Sequence, residues 1–164
     1  MSAPTRFALL GPVEAGKSTL FHALRGDGCQ ARKTQAVEYD GEGCLDTPGE
    51  FFSHPRLYHA LINTIAESEL LIYVHPANDL QWRMPPGLLE VNARQRVVAV
   101  ISKIDLPDAQ ADAVEALLRE QGFPGDILRV SSLRPDSVAA LKAGLGLSNY
   151  AVSAAAHSTE QVER

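Results

Sequence analysis

The stretch "GPVEAGKS", Gly11 to Ser18, constrains this 164-residue chain more than any other. It fits Gly-x4-Gly-Lys-Ser. It lies between a short apolar run, "RFALLG" (Arg6 to Gly11), and a segment in which Leu20, Phe21, Ala23 and Leu24 fall at helical spacing. A strand before and a helix after separate a phosphate-binding loop from a purely structural glycine turn. Gly11 and Gly16 let backbone N–H groups turn inward, and the helix N-terminus adds partial positive charge. Lys17 reaches toward the β- and γ-phosphates, where it would also neutralise charge in phosphoryl transfer, and Ser18 is a ligand for Mg²⁺. Val13, Glu14, Ala15 and Thr19 complete the candidate nucleotide contacts of this loop.

The rest of the chain continues the alternation of strand and helix. "AVEYDGEGCLD" (Ala36 to Asp46) places Asp40-Gly41 between two short runs, the composition of an antiparallel hairpin. "PRLYHALINTIAESE" puts Leu57, Leu61, Ile62 and Ile65 on one helical face, with Pro55 in the first turn. "LLIYVH" (Leu70 to His75) and "VVAVIS" (Val97 to Ser102) are near-continuous apolar runs, the pattern of parallel strands covered on both faces. After a loop rich in proline, "LLEVNA" reads as a short helix. "DAQADAVEALLREQG" predicts a helix through Val114, Leu117 and Leu118, "DILRV" a last strand and "PDSVAALKAGL" a last helix. The expected fold is α/β: one P-loop NTPase domain over residues 1–147, with a mostly parallel sheet, one antiparallel hairpin strand and helices on both faces. Residues 148–164 form a polar tail expected to fray. Ligands of such a sheet bind at the carboxyl ends of its strands.

Composition narrows the partners. Twenty acidic against fifteen basic residues give a formal charge of −5, which argues against a broad nucleic-acid or anionic-membrane surface. Any anion must be held locally. The cysteines, Cys29 and Cys44, lack the spacing of a disulfide scaffold or zinc site and read as reduced thiols of a cytoplasmic protein. The N-terminal apolar run meets Gly-Pro too soon for a signal peptide or spanning helix. His54 and His59 stand five apart, wrong for a metal pair on one helical face, and His75 reads as structural or solvated. Trp82 and Met84, in "NDLQWRMPPG", either offer a partner surface or pack against the body.

Further motifs fall where a phosphate loop would use them. In "LDTPGE" (Leu45 to Glu50), Asp46 can hold Mg²⁺ through a water and the Gly49 N–H can reach a γ-phosphate. In "ARKTQAVEY", Thr34 is the candidate hydroxyl ligand for the same ion. "ISKIDLP" (Ile101 to Pro107) ends an apolar run with Lys-x-Asp, as a guanine-reading loop does. Asp105 would accept hydrogen bonds from the guanine N1–H and exocyclic amine, whereas adenine offers an unprotonated N1. Ser102 stands where such loops carry Asn or Thr. It is too short for the amide contacts of Asn to base and phosphate loop, so weaker grip with a preserved guanine preference is expected. Lys103 would lie along base and sugar, and "VSS" (Val130 to Ser132) would add a backbone N–H, from Ser131 or Ser132, to the base oxygen. The substrate is ATP or GTP with Mg²⁺.

"GPVEAGKSTLFHAL", "ARKTQAVEY", "DTPGEFFSHPRLYHALI", "LLIYVHPAND" and "VISKIDLPDA" together resemble the EutP/PduV family, over Arg6 to about Leu147. The resemblance implies a Ras-like P-loop fold and a role in bacterial ethanolamine utilisation, associated with a protein-shelled microcompartment. For the EutP branch it implies an ATP-dependent acetate kinase interconverting acetate and acetyl phosphate; PduV-like members are linked to positioning compartments. Glu14 stands where potassium-using GTPases carry Asn, which argues against potassium activation. Glu50 takes the place of the water-orienting Gln of Ras-like enzymes; ionised it would repel a γ-phosphate, protonated or paired it would act as a base. Val13 crowds the approach of an external arginine. Three readings follow: a GTPase-like switch that binds shell proteins, an acetate-phosphorylating enzyme, and a nucleotide-binding scaffold with little turnover.

Overall fold

The computed structural model describes residues 6–12, 15–25, 38–39, 45–47, 54–84, 88 and 95–147. Strand β1 (Phe7–Leu10) is followed by helix α1 (Lys17–Arg25), the short strands β2 (Glu38–Tyr39) and β3 (Leu45–Asp46), and helix α2 (Tyr58–Ile65). Strands β4 (Leu70–Pro76) and β5 (Arg96–Ser102), helix α3 (Ala111–Glu120), strand β6 (Ile127–Arg129) and helix α4 (Pro135–Leu145) complete the order. The six strands lie in the order β2-β3-β1-β4-β5-β6. Every neighbouring pair from β3 to β6 is parallel, and β2 alone is antiparallel, pairing Glu38 with Asp46 and Tyr39 with Leu45. The expected mostly parallel sheet with one hairpin strand is therefore the fold. The Asp40-Gly41 turn, the "LLEVNA" helix beyond Leu88, and the tail from residue 148 lie outside the described residues.

Alternation of side chains along each strand sorts the core into two layers. On one face, Phe7, Leu9, Ile72, Val74 and Val100 pack with Leu20, Phe21 and Leu24 of α1 and Leu141 and Leu145 of α4. On the other, Ala8, Leu10, Leu71, Tyr73 and Ile101 meet Leu61 and Ile65 of α2 and Val114 and Leu118 of α3. β4 is buried at all seven positions, which is why its sequence shows no polar alternation. Burying each Leu, Ile or Phe contributes about 1.5–3 kcal/mol, so the sheet centre carries most of the stability.

Local details depart from simple periodicity. The Leu57 N–H bonds the His54 carbonyl at 2.9 Å, three residues back, so Pro55–Leu57 is a 3-10 turn and α2 begins only at Tyr58. Leu117 is half-buried, leaving Val114 and Leu118 to anchor α3. Trp82 and Met84 pack against the second core layer; Met84 is buried, and the Trp82 ring meets Tyr73 edge-on with centroids 6.3 Å apart. All five parallel strands point their carboxyl ends to one edge, where Leu10, Asp46, Pro76, Ser102 and Arg129 hand over to loops.

Candidate functional site

The loop after β1 owes its shape to two glycines. Gly11 has φ 155°, and a Cβ there would lie 2.5 Å from the Val74 carbonyl oxygen, so only glycine lets β1 leave the sheet so close to β4. Gly16 has φ 87° and delivers the chain into α1, whose first turn is closed by the Leu20 N–H to Gly16 carbonyl bond at 3.0 Å. The Ala15 N–H returns to the Pro12 carbonyl at 3.3 Å. Lys17 opens α1 and is 6% exposed, with Ser18 and Thr19 half-buried behind it. No acidic residue stands in the first turn of α1. The partial positive charge of the helix N-terminus is thus not offset by a carboxylate within that turn. Val13 and Glu14 lie outside the described residues.

β3 brings a second group of candidates to the same edge. Leu9 is the register partner of Asp46, and the buried Thr47 ties the chain there: its hydroxyl donates to the Leu9 carbonyl at 2.7 Å and its N–H to the same oxygen at 3.4 Å. Asp46 is thus held beside the entry to the phosphate loop. Thr34, Gly49 and Glu50 fall outside the described residues.

Beyond β5, a cavity of about 240 Å³ opens between Gly16 and Thr19 on one side and Ser102, Lys103, Asp105 and Ser132 on the other. Lys103 adopts the left-handed region at φ 60°, the only non-glycine to do so among the described residues, and turns the chain so that the Leu106 N–H meets the Lys103 carbonyl at 3.2 Å. A Cβ on Gly16 would stand 3.4 Å from the Lys103 Cε, so the lysine stem lies over the phosphate loop. Asp105 is exposed at the cavity, where the Ser131 hydroxyl donates to its Oδ1 at 2.9 Å.

Two expectations change here. Ser102 does reach the phosphate loop: its hydroxyl donates to the Ala15 carbonyl at 2.6 Å, with the His75 carbonyl at 3.4 Å. Of the Ser131 and Ser132 N–H groups, either of which was expected to face a base, that of Ser131 donates to the Ser137 hydroxyl at 2.9 Å, because α4 starts close behind β6. Ser131 is joined instead to Asp105 through its hydroxyl, and Ser132 lines the cavity. The apolar walls Leu106 and Leu133 and the supporting Ser137 were not picked out from sequence. A serine two residues into the helix that follows the last strand would have been the available signal for Ser137.

Under the same edge, His75 is fully buried yet satisfied at both ring nitrogens. Nε2 lies 2.7 Å from the Asp79 carbonyl, which accepts only, so Nε2 carries the proton. Nδ1 then accepts from the Tyr73 hydroxyl at 2.7 Å. Burial holds the His75 pKa below its ordinary value and pushes the Tyr73 phenol far above its own. Burial alone would raise Asp79, but hydrogen bonds from Arg83 and the Gln81 N–H, with the Arg83 charge, hold it below the usual carboxylate value. Histidine here is structural, as one of the sequence alternatives had it.

The family model PduV-EutP, described as ethanolamine utilisation - propanediol utilisation, matches residues 5–146. A Salmonella typhimurium relative named "Probable acetate kinase EutP" is 56% identical over 133 residues, covering 81% of this chain and 84% of its own. Among solved structures, a bacterial selenocysteine-specific elongation factor, EF-Sec, aligns at TM-score 0.60 with 20% identity, covering 90% of this chain and 28% of that chain. The elongation factor SelB of Methanococcus maripaludis, solved with the GTP analogue GppNHp, aligns at TM-score 0.63 with 16% identity, covering 93% of this chain and 35% of that one. This chain therefore spans about a third of those factors, and the likeness is one of fold.

Proposed function

We propose a function from one premise: this chain belongs to the PduV-EutP family of ethanolamine and propanediol utilisation. It is a P-loop protein that binds a nucleoside triphosphate with Mg²⁺ and turns it over as a GTPase-like switch. One observation carries this reading: Gly16 of the Gly11–Ser18 loop, with Thr19 directly after it, lines the same cavity as Asp105, which would give phosphates and base adjoining places. Lys17 and the α1 N-terminus would bind and orient the phosphates. Ser18 and Asp46, with Thr34 beyond the described residues, would hold the Mg²⁺, which supplies charge neutralisation to phosphoryl transfer when bound. Asp105, restrained by Ser131, would accept from the donor edge of guanine. Gly49 would sense the γ-phosphate, and Glu50 would position or activate the attacking group.

The name of the Salmonella relative favours a second reading, phosphoryl transfer from ATP to acetate in the same loop. Either activity would serve a microcompartment, with shell proteins as partners of the switch. No helix among the described residues is long and apolar enough to cross a membrane. The test is to titrate GTP and ATP with Mg²⁺ into purified protein, then follow phosphate release with and without acetate while assaying acetyl phosphate. GTP preference with acetate-independent phosphate release supports the switch. Acetyl phosphate formed from ATP supports the transferase, and absence of binding to either nucleotide overturns both.

A further inference from the structure

A serine hydroxyl has one proton to give. At Ser102 two carbonyl oxygens stand around it, Ala15 at 2.6 Å and His75 at 3.4 Å, and both accept only. The shorter bond takes the proton, so it points into the phosphate loop. Purine N7 and the guanine O6 are acceptors, and Ser102 has no second hydrogen for them. Ser102 as a whole is 1% exposed, so although it forms part of the wall of the adjoining cavity it shows little surface there. An asparagine at this position would keep two N–H donors and could serve loop and base together.

The residue is well placed to act on the loop instead. Ala15 is fully buried between Pro12, to which its N–H bonds, and Gly16 at the head of α1. Ser102 ends β5, whose Cα partner is Pro76 on β4, and its own carbonyl takes the Ala77 N–H at 2.8 Å. The hydroxyl thus fastens the middle of the phosphate loop to the rigid centre of the sheet.

We infer that Ser102 is a positioning residue for the phosphate loop and takes no part in base choice, which it leaves to Asp105. This inference rests on the nucleotide reading proposed above. The consequence is a division of labour: Ser102 sets how tightly any triphosphate is held, and Asp105 sets which base is preferred.

The test measures affinities of the whole chain for GTP, ATP and inorganic tripolyphosphate, with Mg²⁺, in wild type and variants. Ser102→Ala should weaken all three by a similar factor of about five, leaving the GTP to ATP ratio unchanged. Ser102→Thr, which keeps the hydroxyl, should restore them together. Ser102→Cys, close in volume but a weaker donor, should fall between and carries the test if the alanine variant does not fold. Asp105→Ala should change the GTP to ATP ratio and not the tripolyphosphate affinity. A loss confined to GTP in Ser102→Ala or Ser102→Cys would show that Ser102 reads the base and would overturn the inference while the nucleotide reading stands. A wild type that binds none of the three ligands overturns that reading, and the inference with it.

Discussion

The Ser131 hydroxyl donates to the Asp105 Oδ1 at 2.9 Å, joining the end of β6 to the turn after β5. The bond takes one carboxylate oxygen and restrains rotation of the group, so Asp105 is oriented before any ligand arrives. Asp105→Asn should shift preference from GTP toward xanthine triphosphate, because the amide donates where the carboxylate accepted. A complementary contact of this kind is worth about 1–3 kcal/mol, or roughly tenfold or more in relative affinity. Ser131→Ala should weaken GTP binding severalfold without raising affinity for the xanthine nucleotide. Competition titrations with the three nucleotides read both effects, and an unchanged order of bases in Asp105→Asn would place the base elsewhere.

Lys17→Ala should abolish measurable triphosphate binding while the domain stays folded. Lys17 begins α1 at the mouth of the loop rather than within either core layer, so its removal leaves the packing of Leu20, Phe21 and Leu24 intact. Calorimetric titration with circular dichroism checks this. Wild-type affinity in a folded variant would remove the phosphate from this loop.

Asp46→Asn should lower Mg²⁺-dependent turnover by a factor of 10–100, roughly the usual cost of losing a group that orients a metal's ligands, and change metal-free nucleotide binding far less. Its place beside Leu9 is fixed by backbone pairing and by Thr47, neither of which needs the carboxylate. Equal losses in the two assays would make Asp46 a structural residue.

His75 links stability to pH. Burial lowers its pKa below the ordinary value of about 6.5, so between the two the unfolded chain takes up a proton that the native state refuses. Its contribution is complete above about pH 6.5 and is lost as pH falls toward the folded value. Tyr73, Asp79 and Arg83 face the ring; of these Asp79, itself held low, loses its contribution only at more acid pH. Urea midpoints should fall less steeply from pH 7.5 to 5.5 in His75→Asn than in wild type. Tyr73→Phe should cost about 1–3 kcal/mol at neutral pH, because it strips a buried Nδ1 of its donor. Parallel pH profiles in wild type and His75→Asn would refute the assignment.

Some of this was legible in the sequence because it is local. The unbroken apolar runs ending in His75 and Ser102 announce strands covered on both faces, and Gly11, Gly16 and Lys17 carry the loop chemistry in their spacing. The Ser102 contact was not legible, since it depends on a carbonyl 87 positions away and serine's short reach suggests the opposite. Nor was the capture of the Ser131 N–H by Ser137, which depends on how tightly α4 follows β6. Tyr73 and His75 were closer to readable. Residues two apart on a strand share a face, and a phenol beside an imidazole in an apolar run invites pairing. The sequence favoured no single partner for either.

The strand order has a consequence for how this protein is made. The phosphate loop leaves the ribosome early, but the serine that fastens it ends β5, and the serine that orients Asp105 follows β6. Closing an 87-residue span costs roughly 4 kcal/mol of chain entropy beyond a constant, and no contact repays it until the intervening strands have paired. The nascent chain therefore carries the Gly11–Ser18 loop without its Ser102 fastening through most of its synthesis. Until β5 has emerged, a ligand that meets this loop would do so without the hold that Ser102 adds.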